Sequence, residues 1–155
     1  MFKKLKYNKI TNLNLHTPEI SKYSAEIAKV LKIRLIIKLF QKKYVERKKR
    51  VVLEGRDMSK IFPKAEVKFF VECTPLIVAA KRRWLQLKIK NKKISLNEVA
   101  KDLKKRDFID KNRKHSKLER HAESVYINTA KLNIKAVLDK MSKIVGKKLK
   151  DKYGS

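Results

Sequence analysis

Short apolar runs alternate along the chain with longer segments in which apolar residues recur at helical spacing. The runs occupy residues 51–53, 67–71 and 125–127. The first is apolar at every position, which is typical of a strand buried on both faces of a parallel sheet. Strands that alternate with helices build parallel sheets, because the crossover between two parallel strands is usually a helix. The pattern therefore predicts an α/β fold.

The first helical segment has a clear start. Thr17 is a favoured N-cap residue and Pro18 suits the first helical turn. Apolar residues then recur at helical spacing from Ile20 to about Val45. We therefore expect continuous helical structure across this stretch.

Three more helix starts follow. Thr74 and Pro75 open a segment with an apolar face, and Asn133 precedes the last amphipathic stretch. Ser95 and Glu98 form a capping box, the strongest of these signals. The chain of 155 residues has the length of one domain, so we expect a single domain over residues 1–155.

The net charge is +28, from 43 Lys and Arg against 15 Asp and Glu. Such a field attracts polyanions, with an affinity that falls as salt rises. Nucleic-acid interfaces cluster their basic residues and interleave aromatic ones, whereas here lysines are spread through every segment. This favours a lysine-biased composition that binds nucleic acid only non-specifically. A basic nucleic-acid-associated protein remains the alternative.

Several classes of site are excluded by residue counts. The single cysteine, Cys73, rules out an internal disulfide framework and a thiolate zinc cluster. The three histidines are too far apart for a metal motif, so no metal site is expected from these residues. With three glycines in all, the chain has no loop in which backbone N–H groups converge on a phosphate. Any phosphate must therefore be bound by side chains.

Nothing in the sequence predicts secretion or membrane insertion. The opening residues lack the apolar run of a signal peptide. No segment approaches the about 20 consecutive apolar residues of a membrane span. We expect a cytoplasmic protein.

Two groups of residues are candidates for chemistry. Arg106, Asp110 and Arg113 are spaced to lie on one helical face, where two guanidiniums can flank one carboxylate and keep donors for a phosphate or a ribose hydroxyl. A solvated ion-pair face explains the same spacing equally well.

Arg56 and Asp57 follow the first predicted strand, and carboxyl ends of strands bind ligands in open α/β sheets. The alternative is a turn with a surface ion pair.

Taken in order, several segments resemble the bacterial cytidylate kinases, nucleoside-monophosphate kinases of the P-loop fold. The segments are Thr-Pro-Glu-Ile at 17–20 with the residues up to Arg34, Val-Leu-Glu-Gly-Arg-Asp-Met at 52–58 with Phe-Pro at 62–63, Arg-Arg-Trp-Leu-Gln-Leu at 82–87, Ser-Leu-Asn-Glu-Val at 95–99, Arg-Asp-Phe-Ile-Asp-Lys-Asn-Arg at 106–113 and Val-Tyr-Ile-Asn-Thr at 125–129. The resemblance covers about residues 14 to 145 and matches the later two thirds of the family's usual length.

The resemblance implies a three-layer parallel sheet with flanking helices, of which this chain is the carboxy-terminal part. Residues 14–48 would form the monophosphate-binding helices, and 51–90 the core strands and a helix. Residues 95–116 would form the lid region, and 125–150 the last strand and helix. The implied reaction is ATP + (d)CMP to ADP + (d)CDP, with ATP and Mg²⁺ as cofactors and CMP or dCMP as the phosphoryl acceptor.

The resemblance also implies roles for individual residues. Arg34 and Asp57 match the positions that contact the cytosine edge, and Arg56 matches one that engages the monophosphate. The lid residues Arg106, Asp110 and Arg113 would contact the acceptor and surround the transferring phosphoryl group, so they are the expected catalytic residues. Where the family has a base-contacting serine this chain has Ala25, which makes the adjacent Ser24 the candidate.

The chain departs from the family at its start. The Gly-rich ATP loop, its lysine and its Mg²⁺-binding hydroxyl have no counterpart, so no cofactor-binding residue is assigned and the sheet is expected to lack the P-loop strand. We expect a monomer that supplies the CMP-binding and lid residues and is inactive alone. A fragment that binds CMP without catalysis is a further alternative.

Overall fold

The structure, a computed structural model, describes Leu15 and residues 17–28, 30–89 and 93–154. The chain divides into two compact units, with the boundary after Val52. No helix of the described residues is both long and apolar enough to cross a membrane. The expected single domain remains a prediction.

The first unit contains two helices, α1 (Pro18–Ile27) and α2 (Leu31–Glu46). The predicted cap is confirmed, because the Thr17 hydroxyl accepts a hydrogen bond from the backbone N–H of Ile20 at 3.2 Å.

The expectation of continuous helical structure to Val45 is wrong. α1 ends before Ala28, whose carbonyl oxygen accepts from Arg34 Nε at 3.2 Å and Nη2 at 3.0 Å. A long-range side-chain cap of this kind leaves no signal in apolar spacing.

The strand predicted at residues 51–53 does not form. These residues have no regular secondary structure, and Val52 is 97% exposed. A strand is stabilised by hydrogen bonds to a neighbour. Neither of the strands that the structure describes pairs with this run. An apolar run without such a ladder does not hold strand geometry.

The second unit contains a parallel pair of strands, β1 (Phe69–Glu72) and β2 (Val125–Asn128). Phe69 lies opposite Val125 and Val71 opposite Ile127, whose side chain is fully buried. The second and third predicted strands are thus confirmed, the second with its start shifted by two residues. Parallel strands and helices make the fold α/β, as predicted.

Four helices accompany these strands: α3 (Met58–Ile61), α4 (Leu76–Lys88), α5 (Leu96–Asn112) and α6 (Ile134–Tyr153). α4 packs against α5, with Ala80 and Val99 buried. The predicted capping box at the start of α5 is confirmed, with Ser95 and Glu98 bonded reciprocally. Asn133 caps α6, as predicted, by accepting from the N–H of Ala136 at 2.8 Å.

Candidate active site

Arg56 lies in a loop that packs closely against the first residue of the short helix α3. A Cβ on the preceding residue, Gly55, would come within 2.7 Å of Met58 Cε, so glycine lets the Met58 side chain pack against the loop. Asp57 occupies the N-cap position of α3, and its carbonyl oxygen accepts from the N–H groups of Lys60 and Ile61 at 3.1 Å each. The loop therefore holds Arg56 and Asp57 next to a fixed helical turn.

Arg56 meets the carboxyl-terminal half of α5. Its Nη1 donates to Asp107 Oδ1 at 3.4 Å and lies 3.2 Å from Asp110 Oδ2. Arg113 Nη1 donates to the other oxygen of Asp110, Oδ1, at 3.2 Å. Two arginines far apart in the chain thus flank one carboxylate. We call Arg56, Arg106, Asp107, Asp110 and Arg113 the arginine–aspartate cluster.

The end of α5 fixes Asp110 and Arg113 in place. The N–H of Arg113 donates to Ile109 O at 3.0 Å as α5 ends, and Arg113 Nε donates to the carbonyl oxygen of Ser116. Ser116 has a left-handed backbone (φ 55°), which turns the chain back so that the N–H of Leu118 donates to Asp110 O at 2.8 Å. The Asp110 side chain is only 12% exposed in this turn.

Arg106 does not make the direct ion pair that its spacing predicts. Among the described side chains, the second arginine in contact with Asp110 is Arg56. Arg106 is exposed as a whole residue. Desolvation of its guanidinium, with the nearby charge of Arg56 second, lowers the pKa of Arg106. It remains a cation at neutral pH, and it adds positive charge beside Asp110.

One oxygen of this cluster has an unused hydrogen-bonding capacity. Asp110 Oδ2 is buried and accepts no hydrogen bond within the part of the chain that the structure describes. Arg56 Nη1 is 3.2 Å away, which gives electrostatic attraction without a directed N–H. A buried carboxylate oxygen without a donor is unfavourable, so a hydroxyl that reached this oxygen would satisfy it.

The two remaining predicted site residues lie in the first unit. Arg34 is half-buried and bonded to the carbonyl oxygen of Ala28. Ser24 has an exposed side chain, and its carbonyl oxygen accepts from the N–H of Ala28 at 3.0 Å. Their convergence with Arg56 stays a prediction.

The described residues of the arginine–aspartate cluster do not favour a Mg²⁺ site. Within the described ranges, no three or more His, Cys, Asp or Glu side chains are grouped so as to hold a metal ion. The side chains that converge in the arginine–aspartate cluster include three arginines, which oppose cation binding. We therefore assign no step of a reaction through a metal to this cluster.

One residue of the cluster was missed from the sequence. Asp107 had no assigned role, although it bonds Arg56. Its spacing of three from Asp110 puts both carboxylates on neighbouring positions of one helix face. That spacing is a signal for a shared partner, but the partner itself lies 51 residues away.

The comparisons agree with the resemblance noted in the sequence. The family model for cytidylate kinase matches residues 3–147. A cytidylate kinase of Clostridium tetani is 36% identical over 132 residues, which cover 84% of this chain and 58% of the relative. A cytidylate kinase of Geobacter sulfurreducens is 36% identical over 132 residues, covering 84% and 56%. One of Clostridium botulinum (strain Okra) is 33% identical over 135 residues, covering 86% and 61%.

This chain thus spans a little over half the length of the curated relatives that it matches. The family model, by contrast, matches nearly the whole of this chain. The chain belongs to the cytidylate kinase family.

Proposed function

We propose that this chain supplies the acceptor-binding and lid residues of a cytidylate kinase, which catalyses ATP + (d)CMP to ADP + (d)CDP. The observation that carries the proposal is the contact of Arg56 with both Asp107 and Asp110. It joins a loop and a helix end that are far apart in the sequence into one cationic cluster. The proposal includes the three-layer P-loop kinase fold for the whole enzyme, a monomeric state and a cytoplasmic location.

The arginines of the cluster suit the monophosphate of the acceptor. Arg56 has a planar guanidinium that can bind two phosphate oxygens at once, and Arg113 adds a second cation to the cluster. Arg106 adds a third cation, close enough to Asp110 and Arg56 for their charges to influence it. Phosphoryl transfer depends mainly on positioning and on neutralising oxygen charge, so a cluster of arginines without a nucleophile suits this reaction.

The sugar and the base would contact the remaining residues. Asp110 would accept a hydrogen bond from a ribose hydroxyl, since its Oδ2 accepts none among the described residues. Asp57 would accept from the exocyclic amine of cytosine, with Arg34 and Ser24 on the same base edge. The phosphates of ATP and its Mg²⁺ would be bound outside these residues. The chain alone would therefore bind CMP and not turn over.

Calorimetry on the purified chain tests the proposed acceptor. CMP is expected to bind more tightly than AMP, and Asp57→Asn is expected to reduce CMP affinity while leaving AMP affinity unchanged. Asp102→Asn is the matched control, because Asp102 is an exposed carboxylate on α5 outside the cluster. Equal affinities for CMP and AMP would contradict the proposal.

A coupled kinase assay tests the proposed inactivity of the chain alone. No ADP release dependent on CMP and Mg²⁺ is expected from the 155-residue chain. ADP release that needs both would show that the chain binds ATP by itself, and would refute this part of the proposal.

A further inference from the structure

We propose that Asp107 is a positioning residue that holds Arg56 toward the monophosphate of the acceptor. This inference rests on the proposed function and adds a residue to it. Its basis is the different way in which Asp107 and Asp110 contact the same nitrogen of Arg56.

The contact with Asp107 is directed, whereas the contact with Asp110 is not. Arg56 Nη1 donates a hydrogen bond to Asp107 Oδ1 at 3.4 Å. Asp110 Oδ2 lies nearer, at 3.2 Å, yet accepts no hydrogen bond from that nitrogen. A guanidinium is oriented by the donors it commits. Asp107 therefore sets the orientation of Arg56, and Asp110 contributes attraction only.

The difference between the Asp107 and Asp110 contacts becomes important when the phosphoryl acceptor binds. A ribose hydroxyl that donates to Asp110 Oδ2 competes with Arg56 for that oxygen and removes part of its attraction. Because the proposal assigns the sugar to Asp110, Asp107 keeps its bond to Nη1. Nε and Nη2 of Arg56 donate to no acceptor among the described residues, so they remain available to phosphate oxygens when Asp110 binds the ribose.

A purely structural role explains the Arg56–Asp107 pair less well. The side chains of Arg56 and Asp107 are 37% and 38% exposed. Ion pairs that are this exposed to solvent contribute little to the stability of a fold. The same exposure leaves the pair open to a ligand. The pair is therefore better suited to orient a charged group than to stabilise the fold.

Calorimetry with CMP and cytidine measures this role directly. In the wild-type chain CMP is expected to bind more tightly than cytidine. Asp107→Asn is expected to weaken CMP binding about tenfold, the lower end for one hydrogen bond to a charged group, and to leave cytidine binding unchanged. Asp107→Glu, which keeps the carboxylate, is expected to restore most of the preference. Asp102→Asn on the same helix serves as the control.

A second measurement needs no nucleotide. The guanidinium of Arg56 is followed by NMR in the chain without ligand. In the wild type its Nη groups are expected to rotate slowly and give separate signals, and in Asp107→Asn they are expected to average. Asp107→Glu is expected to resemble the wild type.

The two measurements separate the possible failures. Equal losses of CMP and cytidine affinity in Asp107→Asn would overturn the positioning role. If the wild type does not prefer CMP to AMP, the proposed function fails, and the NMR signals of Arg56 still decide whether Asp107 orients it. Arg56 signals that are identical in the wild type and Asp107→Asn would overturn the inference in either case.

Discussion

The indole Nε1 of Trp84 donates a hydrogen bond to the carbonyl oxygen of Ile94 at 2.9 Å. Trp84 lies in α4, and Ile94 precedes the N-cap of α5. The bond thus fixes the start of the helix whose other end carries Asp107 and Asp110. Lys88 Nζ covers the same ring at 4.4 Å from its centroid.

Trp84→Phe is expected to lower the free energy of unfolding by about 1–3 kcal/mol, because the Ile94 carbonyl loses its donor and the smaller ring fills less space. Urea unfolding followed by far-UV circular dichroism measures the change. Tyr153→Phe is the control, since it removes an exposed hydroxyl whose bond to Glu66 is 3.3 Å long, and it is expected to have a small effect. Equal losses in the two variants would contradict the role of the indole.

The capping box of α5 makes stability depend on pH. Hydrogen bonds from the backbone N–H of Ser95, and second from its hydroxyl, lower the pKa of Glu98 below its ordinary value. A folded pKa below the unfolded one means that the stabilisation is present above the unfolded pKa and is lost as pH falls through the folded pKa. Glu98→Gln keeps a residue that can complete the box but does not titrate.

The stability advantage of the wild type over Glu98→Gln is therefore expected to be largest at about pH 6 and to shrink toward about pH 3. Urea unfolding at several pH values measures it. Ser95→Ala removes the cap itself and is expected to cost about 1 kcal/mol at neutral pH. An advantage that stays constant or grows on acidification would contradict the assigned cause.

The loop between β2 and α6 is held by one arginine of α4. Arg82 Nη2 donates to the carbonyl oxygens of Thr129 at 2.9 Å, Ala130 at 3.1 Å and Leu132 at 3.0 Å. Arg82→Lys cannot reproduce this planar arrangement and is expected to cost about 1–2 kcal/mol. Hydrogen exchange is expected to rise at residues 129–133. Lys81→Arg, at the adjacent exposed position, is the control and is expected to leave exchange unchanged.

The sequence predicted structural elements correctly where the signal lies within a few neighbouring residues. Thr17, Ser95 and Asn133 cap helices as predicted, because a cap is formed by residues three positions apart. The sequence did not predict correctly an element that depends on a partner far away in the chain. The run at 51–53 is as apolar as a buried strand, yet it has no paired neighbour among the described strands.

The candidate site shows the same limit. Helical spacing placed Asp110 and Arg113 together correctly, and they form an ion pair. The same spacing predicted Arg106 as the second arginine in contact with Asp110, whereas the loop residue Arg56 makes that contact. No periodicity relates residues 56 and 110, because their contact depends on how a loop and a helix end meet in the folded unit.

The Arg113–Asp110 pair is expected to stabilise the end of α5. Arg113→Ala leaves a largely buried carboxylate with fewer counter-charges, and we expect a loss of about 2–4 kcal/mol in the free energy of unfolding. Adding Asp110→Asn removes the uncompensated charge and is expected to recover part of that loss. Chemical unfolding of the four variants in a double-mutant cycle measures the coupling. Strictly additive losses would contradict a direct pair, and Lys114→Ala is the control for a charge change nearby.

The net charge predicts a second kind of binding that is independent of the cluster. Because +28 is spread over many lysines, DNA is expected to bind without sequence preference. The affinity is expected to fall at least about tenfold between about 50 and about 200 mM salt. Fluorescence anisotropy with two duplexes of unrelated sequence measures both features. Charge reversal at exposed Lys140 and Lys147 is expected to weaken binding, whereas Asp57→Asn is not, since it removes no positive charge. A clear preference for one duplex that survives high salt would instead favour a dedicated nucleic-acid-binding function over the cytidylate kinase role.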